Sequence, residues 1–162
     1  MKVIQMKKYF LLICLVTVAF SSCRKVVQSP FSDTQQAIAD DNAIQDYFLS
    51  NGITNATKDP SGVYYIITNP GTGPHPTINS NVTVGYSIYL FDTSFVESQS
   101  SRYFAPLSSY IKGWQVGIPL IGTGGSITLY VPSGLAFGTS GTTNIEANTP
   151  LIFNITLQGF NN

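Results

Sequence analysis

Past the segment Thr57-Lys58-Asp59-Pro60-Ser61-Gly62 the chain is written as short runs of apolar and β-branched residues divided by Gly, Pro, Asn and Ser, a punctuation that predicts strands and turns. The clearest runs are Val63 to Thr68, Val82 to Phe91, Ser126 to Val131 and Leu151 to Leu157. The last two alternate apolar and polar positions, as an antiparallel sheet does when one face is buried. Between the second and third runs lies Tyr110-Ile111-Lys112-Gly113-Trp114-Gln115-Val116-Gly117-Ile118-Pro119-Leu120, too interrupted by glycine for a strand. It predicts one short helix lying across the sheet. Pro119 predicts that this helix ends near there, because a proline past the first turn removes a backbone donor and crowds the preceding carbonyl. Ahead of the strands, Ala37, Ile38, Ile44, Tyr47 and Phe48 recur at helical spacing, with Asp33 as a candidate cap and Asn51-Gly52 as the stop. One amphipathic helix over 33–51 is the expectation.

The N-terminus carries a different message. Lys2, Lys7 and Lys8 precede an apolar run from Tyr9 to Phe20, and Ser21-Ser22-Cys23 follow, the layout of a secretory signal peptide. The run is too short for a permanent span, which needs roughly 20 residues. Phe20-Ser21-Ser22-Cys23 resembles a bacterial lipobox with Phe in place of the usual Leu. Cys23 is thereby the expected lipidation site, and the alternative is ordinary secretion with Cys23 as a free thiol or lost with the signal. Acyl chains contribute about 0.8 kcal/mol per buried methylene, so several on one Cys anchor stably. The expected division is a lipoprotein signal peptide over 1–22, the lipidated Cys and a polar tether over 23–32, a leader helix with its connection over 33–60, and one domain over 61–162. Arg24-Lys25 gives no acidic signal for surface export, so the expected location is the cell envelope, lipid-anchored on the periplasm-facing outer membrane of a host with two membranes.

Removing the signal removes much of the reactive inventory. The other cysteine, Cys14, leaves with it, so the expected domain has no disulfide, thiolate or cysteine metal ligand. Loss of three lysines leaves five basic residues against eight acidic ones, a net charge of −3. No basic patch is available to neutralise phosphates, which argues against a nucleic-acid partner. The single histidine, His75 in Pro74-His75-Pro76, reads as a solvated loop residue. Asp40-Asp41 is the one close carboxylate pair weighed for chemistry, and adjacent helix positions do not share a face. Hydrolytic and metal-dependent catalysis therefore lack their parts; neither metal nor cofactor is expected.

Five segments carry a resemblance. In order they are Val82-Thr83-Val84-Gly85-Tyr86; Ile111-Lys112-Gly113-Trp114; Gly122-Thr123-Gly124-Gly125 followed by Ile127-Thr128-Leu129-Tyr130-Val131-Pro132; Leu135-Ala136-Phe137-Gly138; and Leu151-Ile152-Phe153-Asn154-Ile155. From Gly62 to Phe160 the chain resembles the FKBP-type peptidyl-prolyl isomerases, and the preceding helix with Ser61-Gly62-Val63-Tyr64-Tyr65 resembles the leader of their lipoprotein forms. The resemblance implies an α+β fold in which an antiparallel sheet of five or six strands curves as a half-barrel around one short helix. It also implies isomerase activity on X-Pro bonds of secreted or envelope proteins, with proline-containing polypeptides as clients. The reaction is rotation about an amide with a barrier of ~18–20 kcal/mol set by nitrogen–carbonyl conjugation, so a pocket that strips water from the carbonyl disfavours the planar ground state.

Carried over residue by residue, the resemblance implies Trp114 as the floor under the prolyl ring, Tyr86, Ile111 and Phe153 as walls, and Ile145 at the rim. Tyr110 and Ile111 would meet the bound peptide through their backbones, and Tyr103 is a looser match to a wall aromatic. The family's Phe-Asp pair falls on Val96-Glu97, ten and eleven residues on from Tyr86, although a one-residue shift would give Phe95 the aromatic place. A pocket tyrosine of the family is Phe137 here; the lost hydroxyl donor is worth on the order of 1 kcal/mol, about fivefold in binding. In the loop from Thr139 to Pro150, Asn144-Ile145-Glu146-Ala147-Asn148 replaces prolines the family often has. These departures keep a second class open, a catalytically weak chaperone or peptide-binding module on the same fold.

Overall fold

The structure, a computed structural model, describes residues 33–161, except for the side chains of residues 33 and 102–104. The expected signal peptide, Cys23 and tether lie outside the described residues, as do the side chains of Asp33 and Tyr103.

The elements run α1 (Asp33–Asn51), β1 (Thr57–Lys58), β2 (Tyr64–Asn69), β3 (Asn81–Tyr89), β4 (Phe95–Pro106), α2 (Lys112–Gly117), β5 (Ser126–Val131) and β6 (Leu151–Asn161). The strands form one six-stranded sheet in the order β1-β2-β5-β6-β3-β4, with every neighbouring pair antiparallel. This is the α+β architecture the sequence predicts. Strand β4 is the element with no clear run of its own: its twelve residues include Ser98, Gln99, Ser100 and Ser101. Pairing with β3, interrupted by register shifts, holds it at the sheet edge.

Period-two burial decides the inner face. Val82, Val84, Tyr86 and Ile88 of β3 point the same way as Ile127, Leu129 and Val131 of β5 and Leu151, Phe153, Ile155 and Leu157 of β6. Helix α2 covers them with Trp114, while Leu107, Ile118 and Ile121 fill the ends. Fully burying an aliphatic side chain contributes about 1.5–3 kcal/mol, so this layer is the main stabilising element. The helix lies close because two of its residues have no side chain. A Cβ on Gly113 would stand 2.5 Å from Val131 Cγ1, and one on Gly117 would run into Leu129. The helix ends at Gly117, and Pro119 sits in the 3-10 turn Ile118–Leu120 that follows.

The outer face is divided crosswise. One row of cross-strand neighbours, Tyr64, Tyr130, Ile152 and Tyr89, is aromatic or apolar and lies under α1. The next row, Ile66, Thr128, Asn154 and Ser87, turns polar after its first member. Ile44 and Phe48 of α1 fill the apolar row, with Phe48 edge-on to Tyr64 at 5.3 Å and to Tyr130 at 4.7 Å. The apolar stripe expected of this helix is thus corrected at its start. Ala37 is exposed and Ile38 is 57% exposed, while the buried line runs Asp40, Ile44, Phe48 at four-residue steps. The predicted stop forms: Gly52 has φ +65°, its N–H donates to the Leu49 carbonyl, and the Ile53 N–H donates to that of Phe48.

Asp40 and Asp41 separate as adjacent helix positions must. Asp41 accepts from Lys58 Nζ at 2.6 Å and from the Tyr64 hydroxyl at 2.8 Å, while Asp40 turns inward. The Lys58 ammonium, with the Tyr64 hydroxyl adding to it, holds the Asp41 carboxyl below its ordinary value of 3.8, burial opposing. Its depressed pKa contributes stability that is present above the ordinary carboxylate range and lost as pH falls through the lowered value.

Two outcomes are expected in urea unfolding. Gly113→Ala lowers stability by about 1–3 kcal/mol, because Val131 or the helix must move aside. Lys58→Ala lowers it by no more than about 1 kcal/mol at neutral pH, and the difference from wild type vanishes once Asp41 is protonated.

Candidate functional site

Four aromatic rings meet where α2 crosses the inner face. Trp114 comes from α2, Tyr86 from β3 and Phe153 from β6, two strands that pair with each other, and Tyr110 from the segment just before the helix. The indole stands edge-on to Tyr86 at 5.0 Å and to Phe153 at 5.8 Å, and tilted against Tyr110 at 5.2 Å. Trp114 is 3% exposed, and its Nε1–H is buried without a hydrogen-bond partner among the described residues. Leaving such a donor unpaired costs about 1–3 kcal/mol.

The half-buried residues Val96, Tyr110, Ile111 and Phe137 pack against the same core. Ile111 is extended, with φ −56° and ψ 150°, and its carbonyl starts α2 by accepting the Trp114 N–H at 3.0 Å and the Gln115 N–H at 3.2 Å. Gln115, which sequence reasoning missed, donates its side-chain amide to the Tyr110 carbonyl at 2.6 Å and to that of Ser108 at 3.1 Å, holding the entry to the helix. A polar residue at that spacing carries no pattern that would have singled it out. Ile145 lies deeper than a rim residue, fully packed into the main core.

A bulge settles the register on β4. Ile88 faces Glu97 and Tyr89 faces Phe95, so Val96 falls between the two pairs. Val96 packs on the core and the Glu97 carboxylate accepts the Tyr86 hydroxyl at 2.7 Å. Phe95 does not take the aromatic place: it is 58% exposed and lies edge-on to Tyr89 on the other face. Phe137 follows the turn Ser133–Leu135 and brings a ring without a hydroxyl.

The other face offers a contrast. An open groove of about 660 Å³ crosses it, lined by Ser87, Ser98, Thr128, Asn154 and Thr156 among others. These polar side chains bond one another, Thr128 Oγ1 donating to Asn154 Oδ1 at 2.8 Å and Ser126 pairing with Thr156 at 3.0 Å. Water reaches all of them, and an amide placed there would keep its hydration. The aromatic cluster is the dry surface. No group of three or more His, Cys, Asp or Glu that could hold a metal occurs among the described residues. His75 is exposed, with Nδ1 2.9 Å from the Pro119 carbonyl.

The sequence pattern of one family, described as FKBP-type peptidyl-prolyl cis-trans isomerase, matches residues 73–158. A probable FKBP-type isomerase FkpA of Neisseria meningitidis serogroup B is 38% identical over 112 residues, 64% of this chain and 41% of that protein. The isomerase Mip of Coxiella burnetii is 37% identical over 103 residues, 60% of this chain and 44% of that protein. The chain thus spans less than half the length of these two curated relatives. The crystal structure of FkpA from Escherichia coli aligns over 94% of this chain and 81% of its own, at 25% identity and a TM-score of 0.67. The curved sheet around α2, the ringed tryptophan and the matched span agree, and the chain belongs to the FKBP-type peptidyl-prolyl cis-trans isomerase family.

Proposed function

We propose that this protein is a peptidyl-prolyl cis-trans isomerase that binds the prolyl ring of a polypeptide over Trp114. The observation that carries the reading is the buried indole enclosed by Tyr86, Tyr110 and Phe153, with Val96, Ile111 and Phe137 half-buried beside it. A proline ring fills such a site by contact alone. Its amide then loses water on the bound side, and the conjugated planar form, with its larger charge separation, loses more than the twisted one. Tyr86, Ile111 and Phe153 are the walls, Ile145 backs the rim, and Tyr103 belongs to the wall by resemblance. Glu97 holds the Tyr86 hydroxyl and so keeps that ring in place. No nucleophile, metal or cofactor enters, because no covalent bond is made or broken.

The N-terminal pattern supports a setting for this activity. Residues 1–22 act as a lipoprotein signal peptide, Cys23 receives the lipid, 23–32 is a tether, 33–60 is the leader helix and its connection, and 61–162 is the isomerase domain. The protein then works at the cell envelope, on the periplasm-facing outer membrane, on proline-containing secreted clients whose X-Pro bonds isomerise unaided in tens to hundreds of seconds. Val96 and Phe137, which leave the pocket short of one ring and one hydroxyl, favour a second reading: a catalytically weak chaperone or peptide-binding module.

A prolyl-isomerisation assay of the full chain, on tetrapeptides that vary the residue before proline, separates the two. Wild type accelerates isomerisation, and Trp114→Ala lowers kcat/KM at least tenfold by opening the floor. Phe137→Tyr raises it about fivefold, the worth of one added donor to the substrate carbonyl. Glu97→Ala lowers it by a similar factor as the Tyr86 ring loses its tie. Absence of acceleration in wild type and in Phe137→Tyr leaves the peptide-binding module.

A further inference from the structure

Asp40 is the one described charged residue whose side chain the fold buries, at 2% exposure. A carboxylate out of water is costly unless donors surround it. Three do. The backbone N–H and the hydroxyl of Ser133 each donate to Oδ2 at 2.7 Å, and Gln36 Nε2 donates to Oδ1 at 2.8 Å. Ser133 is itself fully buried and opens the turn between β5 and Phe137.

From Ser133 the bonds lead to the pocket. Its carbonyl accepts the Ala136 N–H at 3.0 Å and the Gly138 N–H at 2.8 Å, the two residues on either side of Phe137. The Gly138 carbonyl in turn accepts the Asn148 N–H at 2.8 Å, which closes the loop that carries Ile145. Gln36 also reaches the Asn148 carbonyl, at 3.5 Å. Helix α1 thus grips both ends of the rim while it lies on the other face of the sheet from the aromatic cluster.

We propose that Asp40 is a positioning residue of the prolyl site: through Ser133 it fixes the 133–148 rim, so that the leader helix is part of the isomerase and not only its spacer. This rests on the isomerase reading. Charge-assisted bonds are about twice as strong as neutral ones, and two converge on a single oxygen here. Once the carboxylate is gone, the turn that aims Phe137 is held by its own backbone bonds alone. The substrate then meets a looser rim over an unchanged floor, which raises KM and leaves kcat largely as it was.

The test compares Asp40→Ala, Asp40→Asn and Ser133→Ala with wild type in the full chain, reading KM and kcat on the tetrapeptides and amide exchange residue by residue. Asp40→Ala is expected to raise KM about tenfold with kcat within about twofold, and to speed exchange at Ala136, Gly138 and Asn148 while Ile155 in β6 keeps its protection. Asp40→Asn keeps an acceptor oxygen and falls between the two. Ser133→Ala, which loses the hydroxyl donor alone, gives a rise of about two- to threefold and carries the test should Asp40→Ala not fold. A folded Asp40→Ala or Ser133→Ala with unchanged KM and unchanged rim exchange overturns the proposal, and so does an exchange rise spread evenly over the sheet. A wild-type chain without isomerase activity overturns the isomerase reading instead; rim exchange alone then decides whether Asp40 holds the loop.

Discussion

The contact on which the rest of the structure depends is the seating of α2 against β5. Gly113 and Gly117 face Val131 and Leu129 at a distance that leaves no room for a methyl group. That approach brings the Trp114 indole down between Tyr86 and Phe153, so the tryptophan completes the core and, in the proposed function, also floors the prolyl site. Were the helix an ångström higher, the rings would lose their edge-on packing, and dispersion falls off steeply over such a gap. On the proposed reading, the main core and the prolyl surface are one object seen from two sides.

The two faces of the sheet solve different problems with the same strands. Inside, every second residue of β3, β5 and β6 serves the aromatic floor. Outside, Tyr64, Tyr130, Ile152 and Tyr89 give α1 a place to dock, and beyond that row Thr128, Asn154 and Ser87 return the face to water. The helix can therefore sit on one end of the sheet with the far end still solvated. Its position over that end brings Asp40 to Ser133.

Much of this was legible in the sequence, for physical reasons that can be named. The strands β5 and β6 announced themselves by alternation, β2 and β3 as apolar and β-branched runs between turn residues, and α1 by apolar residues at helical spacing before a stop able to take positive φ. The resemblance that singles out Trp114 and Phe137 rests on the order of short motifs rather than on periodicity. Strand β4 stayed hidden because an edge strand with bulges need not alternate, and its bulge sets Val96 against the core and leaves Phe95 exposed. The inward turn of Asp40 was hidden too. A helical pattern counts apolar residues, and a carboxylate in the buried stripe looks like a gap in it until the two Ser133 donors, 93 residues away, are in place.

Catalysis of prolyl rotation asks for dryness and a fixed rim, not for a reactive group, and this shapes which residues can be lost. Trp114, the floor in the proposed function, cannot be weakened without weakening the fold, because it is packed in the main core. Rim residues are freer. Val96 and Phe137 pack half-buried on the main core, and Glu97 accepts the Tyr86 hydroxyl. In the proposed site the rim still needs its backbone held, and the donors converging on Asp40 hold it from a helix on the other face of the sheet.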